Sequence, residues 1–240
     1  MERKAFLKSG LSALGIAAVV PLVGSCKKEN TSTSSSTGSD SSGGSGGSSS
    51  CTVSPTETEG PYPTHTPSSY VRSNITDDRT GVPLSVQITI QNANNNCAAL
   101  AGAIVDLWHC DKDGNYSEYS GFTTVHFLRG RQVTDANGLV TFTSVFPGWY
   151  TGRATHLHIH IYNAAGTSLK VTQISFPEGS TSAVAIVNTT ASGYTKGMSG
   201  YTYNASDGIF SDDTAGIEMA SVTGSVSAGY ILTHKIAVSA

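Results

Sequence analysis

The chain has 240 residues, with 14 Lys and Arg against 17 Asp and Glu and only 13% charged residues, so it offers no basic face. Phosphate-tracking nucleic-acid surfaces need clustered Lys and Arg, which disfavours that class of function. Its 26 glycines and its Ser/Thr-rich background point to strands and loops rather than long helices.

Arg3, Lys4 and Lys8 precede an apolar run over 11–23 that is too short for an ordinary membrane span. Val23-Gly24-Ser25-Cys26 resembles a lipobox, so residues 1–25 read as a lipoprotein signal peptide and Cys26 as the lipidated N-terminus after cleavage. A plain secretory signal followed by a chance cysteine is the other reading. Arg3-Lys4-Ala5-Phe6-Leu7-Lys8 is similar to a twin-arginine signal with Lys4 in place of the second arginine, which implies export after folding. Residues 26–50 are dominated by Ser, Thr and Gly; such a segment buries no apolar surface and serves as a flexible tether. The expected protein is therefore exported and lipid-anchored to a bacterial membrane, the outer membrane by preference, on its periplasmic or surface side. Residues 51–240, about 190 in all, suffice for one domain with a real interior. With Cys26 given to lipid, Cys51, Cys97 and Cys110 allow one disulfide and one thiol. Cys51 and Cys97 are the preferred pair, because Cys97 closes a polar Asn-rich turn, and Cys110 reads as a small buried hydrophobe.

Along the domain, 84–90 alternates with period two, as a half-buried strand does. A second strand is expected over 103–108, followed by the Asp113-Gly114 turn, and a third over 139–142 after Asn137-Gly138. Pro147-Gly148 precedes a strand over 156–162, and Gly166 precedes one over 170–176. No helical periodicity stands out near the C-terminus. There 218–223 and 230–238 read as strands, joined by a turn over 224–229. Short strands at this spacing make an all-β, antiparallel β-sandwich core with long loops.

The segment Thr155-His156-Leu157-His158-Ile159-His160-Ile161 carries the most chemical information. On a strand His156, His158 and His160 share one face, and Leu157, Ile159 and Ile161 face the core. Residues two apart on a strand are roughly 6.5–7 Å apart, close enough for two imidazoles to converge on one metal ion. The same alternation also describes a plain solvent-facing strand. Nearby stand Tyr150 and Arg153 in Pro147-Gly148-Trp149-Tyr150-Thr151-Gly152-Arg153, and Tyr116 after the Asp113-Gly114-Asn115 turn.

Five blocks taken in order resemble the intradiol ring-cleavage dioxygenases, the family of catechol and protocatechuate dioxygenases. They are Thr58-Glu59-Gly60-Pro61-Tyr62, Val105-Asp106-Leu107-Trp108 running on to Gly114-Asn115-Tyr116-Ser117, Phe127-Leu128-Arg129-Gly130, Pro147-Gly148-Trp149-Tyr150, and Arg153-Ala154-Thr155-His156-Leu157-His158. The likeness covers roughly residues 51–177. It implies one non-haem Fe(III) ion with Tyr116, Tyr150, His156 and His158 as ligands, Tyr150 being the one that substrate displaces. It also implies Arg153 beside the bound ring, with Gln173 and Tyr62 as pocket residues. The implied reaction inserts both atoms of O2 between the two hydroxylated carbons of a catechol-type substrate. A zinc or copper site built on His156, His158 and His160 is the competing reading, and a non-catalytic β-sandwich surface lipoprotein is a third. The chain lacks the N-terminal helical dimerisation domain of the family's catechol dioxygenases; a Ser/Gly tether stands in that place.

Overall fold

The computed structural model describes residues 51–240, so the expected signal peptide, the tether and Cys26 lie outside the described residues. Strand β1 (Pro83–Asn92) is the spine of the first sheet. Its even positions Leu84, Val86, Ile88 and Ile90 are buried, and Ser85, Gln87 and Thr89 alternate with them. Around it lie β2 (Ala98–Ala99) and β5 (Leu139–Val145), both antiparallel to it, and β9 (Gly229–Val238), which runs parallel. Strand β8 (Ser221–Ser225) completes this sheet beside β9. The second sheet is antiparallel throughout, in the order β4 (Arg129–Val133), β3 (Ile104–Trp108), β6 (His156–Tyr162), β7 (Ser168–Ser175).

Between the sheets, the buried side of β1 meets Val105 and Leu107 of β3 and Leu157, Ile159 and Ile161 of β6 in one continuous core. Phe142, Phe146, Leu232 and Ile236 belong to the same cluster. Each such side chain contributes about 1.5–3 kcal/mol on burial. The expected all-β sandwich is thus the observed architecture, with one parallel pair in it. That pair exists because the chain leaves β1, builds the second sheet and returns at β9, a long crossover of the kind parallel neighbours require.

Three of the differences from expectation have a clear physical reason. Strand β4, with the sequence Arg-Gly-Arg-Gln-Val, has no apolar alternation to announce it. It forms because Arg131 pairs with the buried Asp106 on β3 and because Gly130 leaves room for Ile75, which any Cβ there would strike. The strand expected over 218–223 begins later, at Ser221, and runs through Gly224 to Ser225. Gly224 permits this because its backbone lies against Gly229 and Tyr230, at φ 126°, where a side chain would collide. Finally, α1 (Ala183–Val187) is a single turn, capped by the Ser182 side chain and burying Val184 and Val187. Five residues are too few to show a helical period.

An N-terminal strap ties the sheets together. Ser54 N donates to Ala237 O of β9 at 3.0 Å and Glu57 N to Val171 O of β7 at 2.9 Å. The strap is anchored by a disulfide between Cys51 and Cys97, the pair preferred from sequence. Cys110 is a buried free thiol, and burial pushes its pKa up to about 12. The two bridged cysteines are 46 residues apart, a loop whose closure restricts the unfolded chain by about 4 kcal/mol. Reduction, or Cys97→Ser, is expected to lower stability on that order, read as a lower thermal midpoint. An unchanged midpoint under reductant would contradict this role for the strap.

Candidate metal centre

Strand β6 is buried on both sides along its first half. Leu157 and Ile159 enter the sandwich core, while His156 and His158 are 2% and 0% exposed on the opposite face. That outer face is covered by loops rather than by a second sheet. Strand register places Trp108 of β3 and Gln173 of β7 directly across from His158, and the Trp108 ring stacks on the imidazole at 5.1 Å and 4°.

Two loops bring the tyrosines to this face. After β3, the Asp111 carboxylate accepts from Asp113 N and Asn115 N at 3.0 and 2.9 Å, winding the chain into a turn that presents Tyr116. The turn is seated against 148–150 so closely that a Cβ on Gly114 would stand 2.6 Å from Trp149 O. A Cβ on Gly148 would likewise strike Lys112 O. The two glycines therefore allow two backbones to touch, and that contact sets Tyr150 beside Tyr116, ring centroids 5.8 Å apart. Below them the fully buried Arg129 donates to Ser117 O at 2.6 Å, to Ser117 Oγ at 2.9 Å and to Tyr62 O at 3.1 Å. The neighbouring Glu118 carboxylate accepts from His65 N, Tyr70 Oη and His126 Nδ1, so the Tyr116 loop and the Tyr62 strap are held by one network.

The result is a tight cluster of donor atoms. Tyr116 Oη lies 3.1 Å from His158 Nε2 and 3.4 Å from His156 Nε2, and the two Nε2 atoms are 3.0 Å apart. Three atoms with those separations lie on a circle of radius about 1.8 Å, so an ion about 2 Å from each fits just off their plane. Tyr150 flanks the opening, its ring 5.6 Å from that of His156. Tyr150 Oη and His158 Nδ1 are both buried with no hydrogen-bond partner among the described residues.

Electrostatics suit a cation. Burial, then the Arg153 charge, pushes His156 down to about 3, while its Nδ1 faces Ala154 O at 2.6 Å; a proton held on Nδ1 leaves the Nε2 lone pair pointing inward. Burial, then the neighbouring His156 and Arg153, keeps His158 well below the ordinary imidazole value. Burial lifts the Tyr116 phenol far above its usual value, and it also raises Tyr150, with Arg153 pulling the other way. Two neutral imidazoles and two phenols that cannot ionise unaided are a donor set that a hard, highly charged cation completes. Among the described residues no group of three or more His, Cys, Asp or Glu side chains is placed to hold a metal ion, so a metal at this centre has to draw on the tyrosines. The three-histidine arrangement is not formed. His160 Nδ1 is engaged by Glu59 at 2.9 Å and its Nε2 by Ser168 Oγ at 2.8 Å, facing away from the cluster.

The remaining residues singled out from sequence surround the cluster. Arg153 Nη2 donates to Gln173 Oε1 at 2.6 Å, and Gln173 Nε2 donates to Thr58 O at 3.0 Å. The Tyr62 ring stacks on Tyr116 at 4.6 Å and meets Tyr150 edge-on at 6.0 Å. Gly60, at φ 70°, lies so close that its Cβ would stand 2.8 Å from His158 Cε1. His109 is buried between Cys110 O and Ser144 Oγ, and His65 is an exposed strap residue. Sequence reasoning missed Asp207, whose carboxylate holds Arg153 Nε at 2.9 Å, and Phe210, whose ring lies 6.3 Å from that of His156. Both sit in a polar stretch with no periodicity or motif to mark them.

A family model described as dioxygenase matches residues 58–209. The chain is 33% identical over 109 residues to a chlorocatechol 1,2-dioxygenase of Pseudomonas putida, a match covering 42% of this chain and 40% of that enzyme, so it spans about two fifths of this curated relative. Among solved structures, an intradiol ring-cleavage dioxygenase from Tetranychus urticae superposes with a TM-score of 0.69 at 32% identity, covering 78% of this chain and 95% of that one. The dioxygenase domain of a carbohydrate-binding fusion protein from Streptomyces sp. SirexAA-E gives a TM-score of 0.57 at 27% identity, covering 78% and 97%. By matched length, by identity and by fold, the chain belongs to the intradiol ring-cleavage dioxygenase family.

Proposed function

We propose that this protein opens a catechol-type ring between its two hydroxylated carbons by inserting both atoms of O2, using one non-haem Fe(III) ion held by Tyr116, Tyr150, His156 and His158. The observation that carries this reading is the convergence of Tyr116 Oη, His156 Nε2 and His158 Nε2 within 3.0–3.4 Å of one another, with the unpartnered Tyr150 beside them. Similarity to chlorocatechol 1,2-dioxygenases supports catechols as the substrate class.

When bound, a ferric ion supplies Lewis acidity, stabilises both phenolates and gives the two substrate oxygens a seat. The protein's own groups do the rest. The neutral histidines contribute lone pairs without adding charge, which leaves the two tyrosines as the anionic donors. Tyr150 Oη, buried beside Tyr116 and His156, is placed to give up its position and hold a proton taken from a catechol hydroxyl. Arg153, its guanidinium 5.6 Å over the Phe210 ring, supplies a fixed positive charge beside the developing anion. Tyr62, stacked on Tyr116, and Gln173, bonded to Arg153, form walls of the substrate space and limit water there.

The domain organisation belongs to the same proposal: a lipoprotein signal over 1–25, a tether over 26–50 and the catalytic domain over 51–240, anchored through Cys26 to a bacterial membrane facing the periplasm or the exterior. Among the described residues no helix is long and apolar enough to cross a membrane. Expression in a Gram-negative host should place the full chain in the membrane fraction. Cys26→Ser should release it, and retention of the variant on membranes would count against lipidation.

For the chemistry, the full chain loaded with iron should be coloured by tyrosinate-to-iron charge transfer and should consume O2 with catechol, giving a ring-opened diacid. His158→Ala should lose the iron and the colour together. Tyr150→Phe should shift the band and lower turnover by at least about 100-fold, the scale of removing a group that acts in the transition state. Iron uptake and absorption identical to the parent in both variants would overturn the ligand assignment.

A further inference from the structure

We infer that Asp207 is the positioning residue that fixes the Arg153 guanidinium beside the tyrosine–histidine cluster. The inference rests on the role proposed above for Arg153.

Asp207 is fully buried, and both of its oxygens are occupied. They receive Arg153 Nε at 2.9 and 3.2 Å, Ala154 N at 2.7 Å, Ile209 N at 2.8 Å and Phe210 N at 3.4 Å. Burial alone would push the carboxyl up. The Ala154 and Ile209 amides and the Arg153 guanidinium outweigh burial and hold the group below the usual carboxylate range, as an anion. Ala154 is two residues before His156, so the same carboxylate that grips Arg153 also fixes the backbone entering β6. Through Ile209 and Phe210 it places the aromatic ring that lies 5.6 Å under Arg153 and 6.3 Å from His156.

The guanidinium is then clamped from two sides. Its Nε is taken by Asp207 and its Nη2 by Gln173, which in turn holds Thr58 O in the N-terminal strap. Nη1 takes no part in these bonds, and the plane of the fork is set by the other two nitrogens. A planar, five-donor group fixed in this way can direct one edge at an anionic substrate, which a lysine on a flexible stem could not do. Partners of this kind, one bond removed from the reacting atoms, typically change activity by 10–100-fold when altered.

The test uses the full chain with Asp207→Asn, Arg153→Ala and the double substitution. Each is loaded with iron and examined for iron content, visible absorption, anaerobic binding of 4-nitrocatechol and kcat/KM on catechol. The thermal midpoint of each metal-free protein is also measured. Asp207→Asn should leave iron content and the tyrosinate band in place, while kcat/KM and 4-nitrocatechol affinity fall about 10–100-fold. In the Arg153→Ala background the same change should add less than about twofold, because the group it positions is gone. The thermal midpoints should be non-additive in the same sense. Losses that multiply independently, or loss of iron with Asp207→Asn, would overturn the inference. A parent protein that takes up no iron would refute the proposed function instead, and the thermal cycle would still decide whether Asp207 sets the place of Arg153.

Discussion

Two histidines side by side at the buried start of β6 impose the constraint that organises the rest of the molecule. Period-two alternation gives Leu157, Ile159 and Ile161 to the sandwich, and it obliges His156 and His158 to occupy the outer face together. Burial keeps both neutral, and their Nε2 atoms stand 3.0 Å apart. Without a further partner, two such groups share at most one proton between them and leave polar atoms stranded. The proposed ferric ion would resolve that conflict, with the phenols of Tyr116 and Tyr150 supplying the negative charge it needs.

The surrounding architecture serves to hold that cluster closed. Gly114 lies against the Trp149 backbone and Gly148 against that of Lys112, so the two tyrosines, 34 positions apart in sequence, arrive on a shared contact rather than on independent loops. Arg129 and Glu118 fasten the Tyr116 loop to the Tyr62 strap, and the disulfide fastens the strap to the first sheet. On the far side, Asp207 and Gln173 grip Arg153 between the C-terminal loop and β7. The sandwich sets where β6 lies, and the loops determine what its outer face can bind.

Much of this was legible in the sequence, for identifiable reasons. Residues 84–90 and 156–162 announce themselves by alternation, because a strand with one buried face has no other way to be written. The metal-centre candidates were legible only jointly. Tyr116 and Tyr150 carry no signal individually, but each follows a Gly-containing turn at a spacing shared with the family. Strand β4 was not legible, since it is held by an Arg131–Asp106 pair and a glycine rather than by apolar residues. The parallel β1–β9 pairing escaped too, because nothing local in either strand encodes the direction of its neighbour. Asp207 was invisible for the same reason: its partners are 53 and 54 residues away, and its own surroundings read as an ordinary polar turn.

The coordination sphere is tested most directly by anomalous diffraction at the iron edge from crystals of the iron-loaded full chain. One strong peak is expected about 2 Å from Tyr116 Oη, His156 Nε2 and His158 Nε2, with Tyr150 Oη completing the set. Iron found elsewhere, or an empty centre in which the two imidazoles bond only to each other, would contradict it.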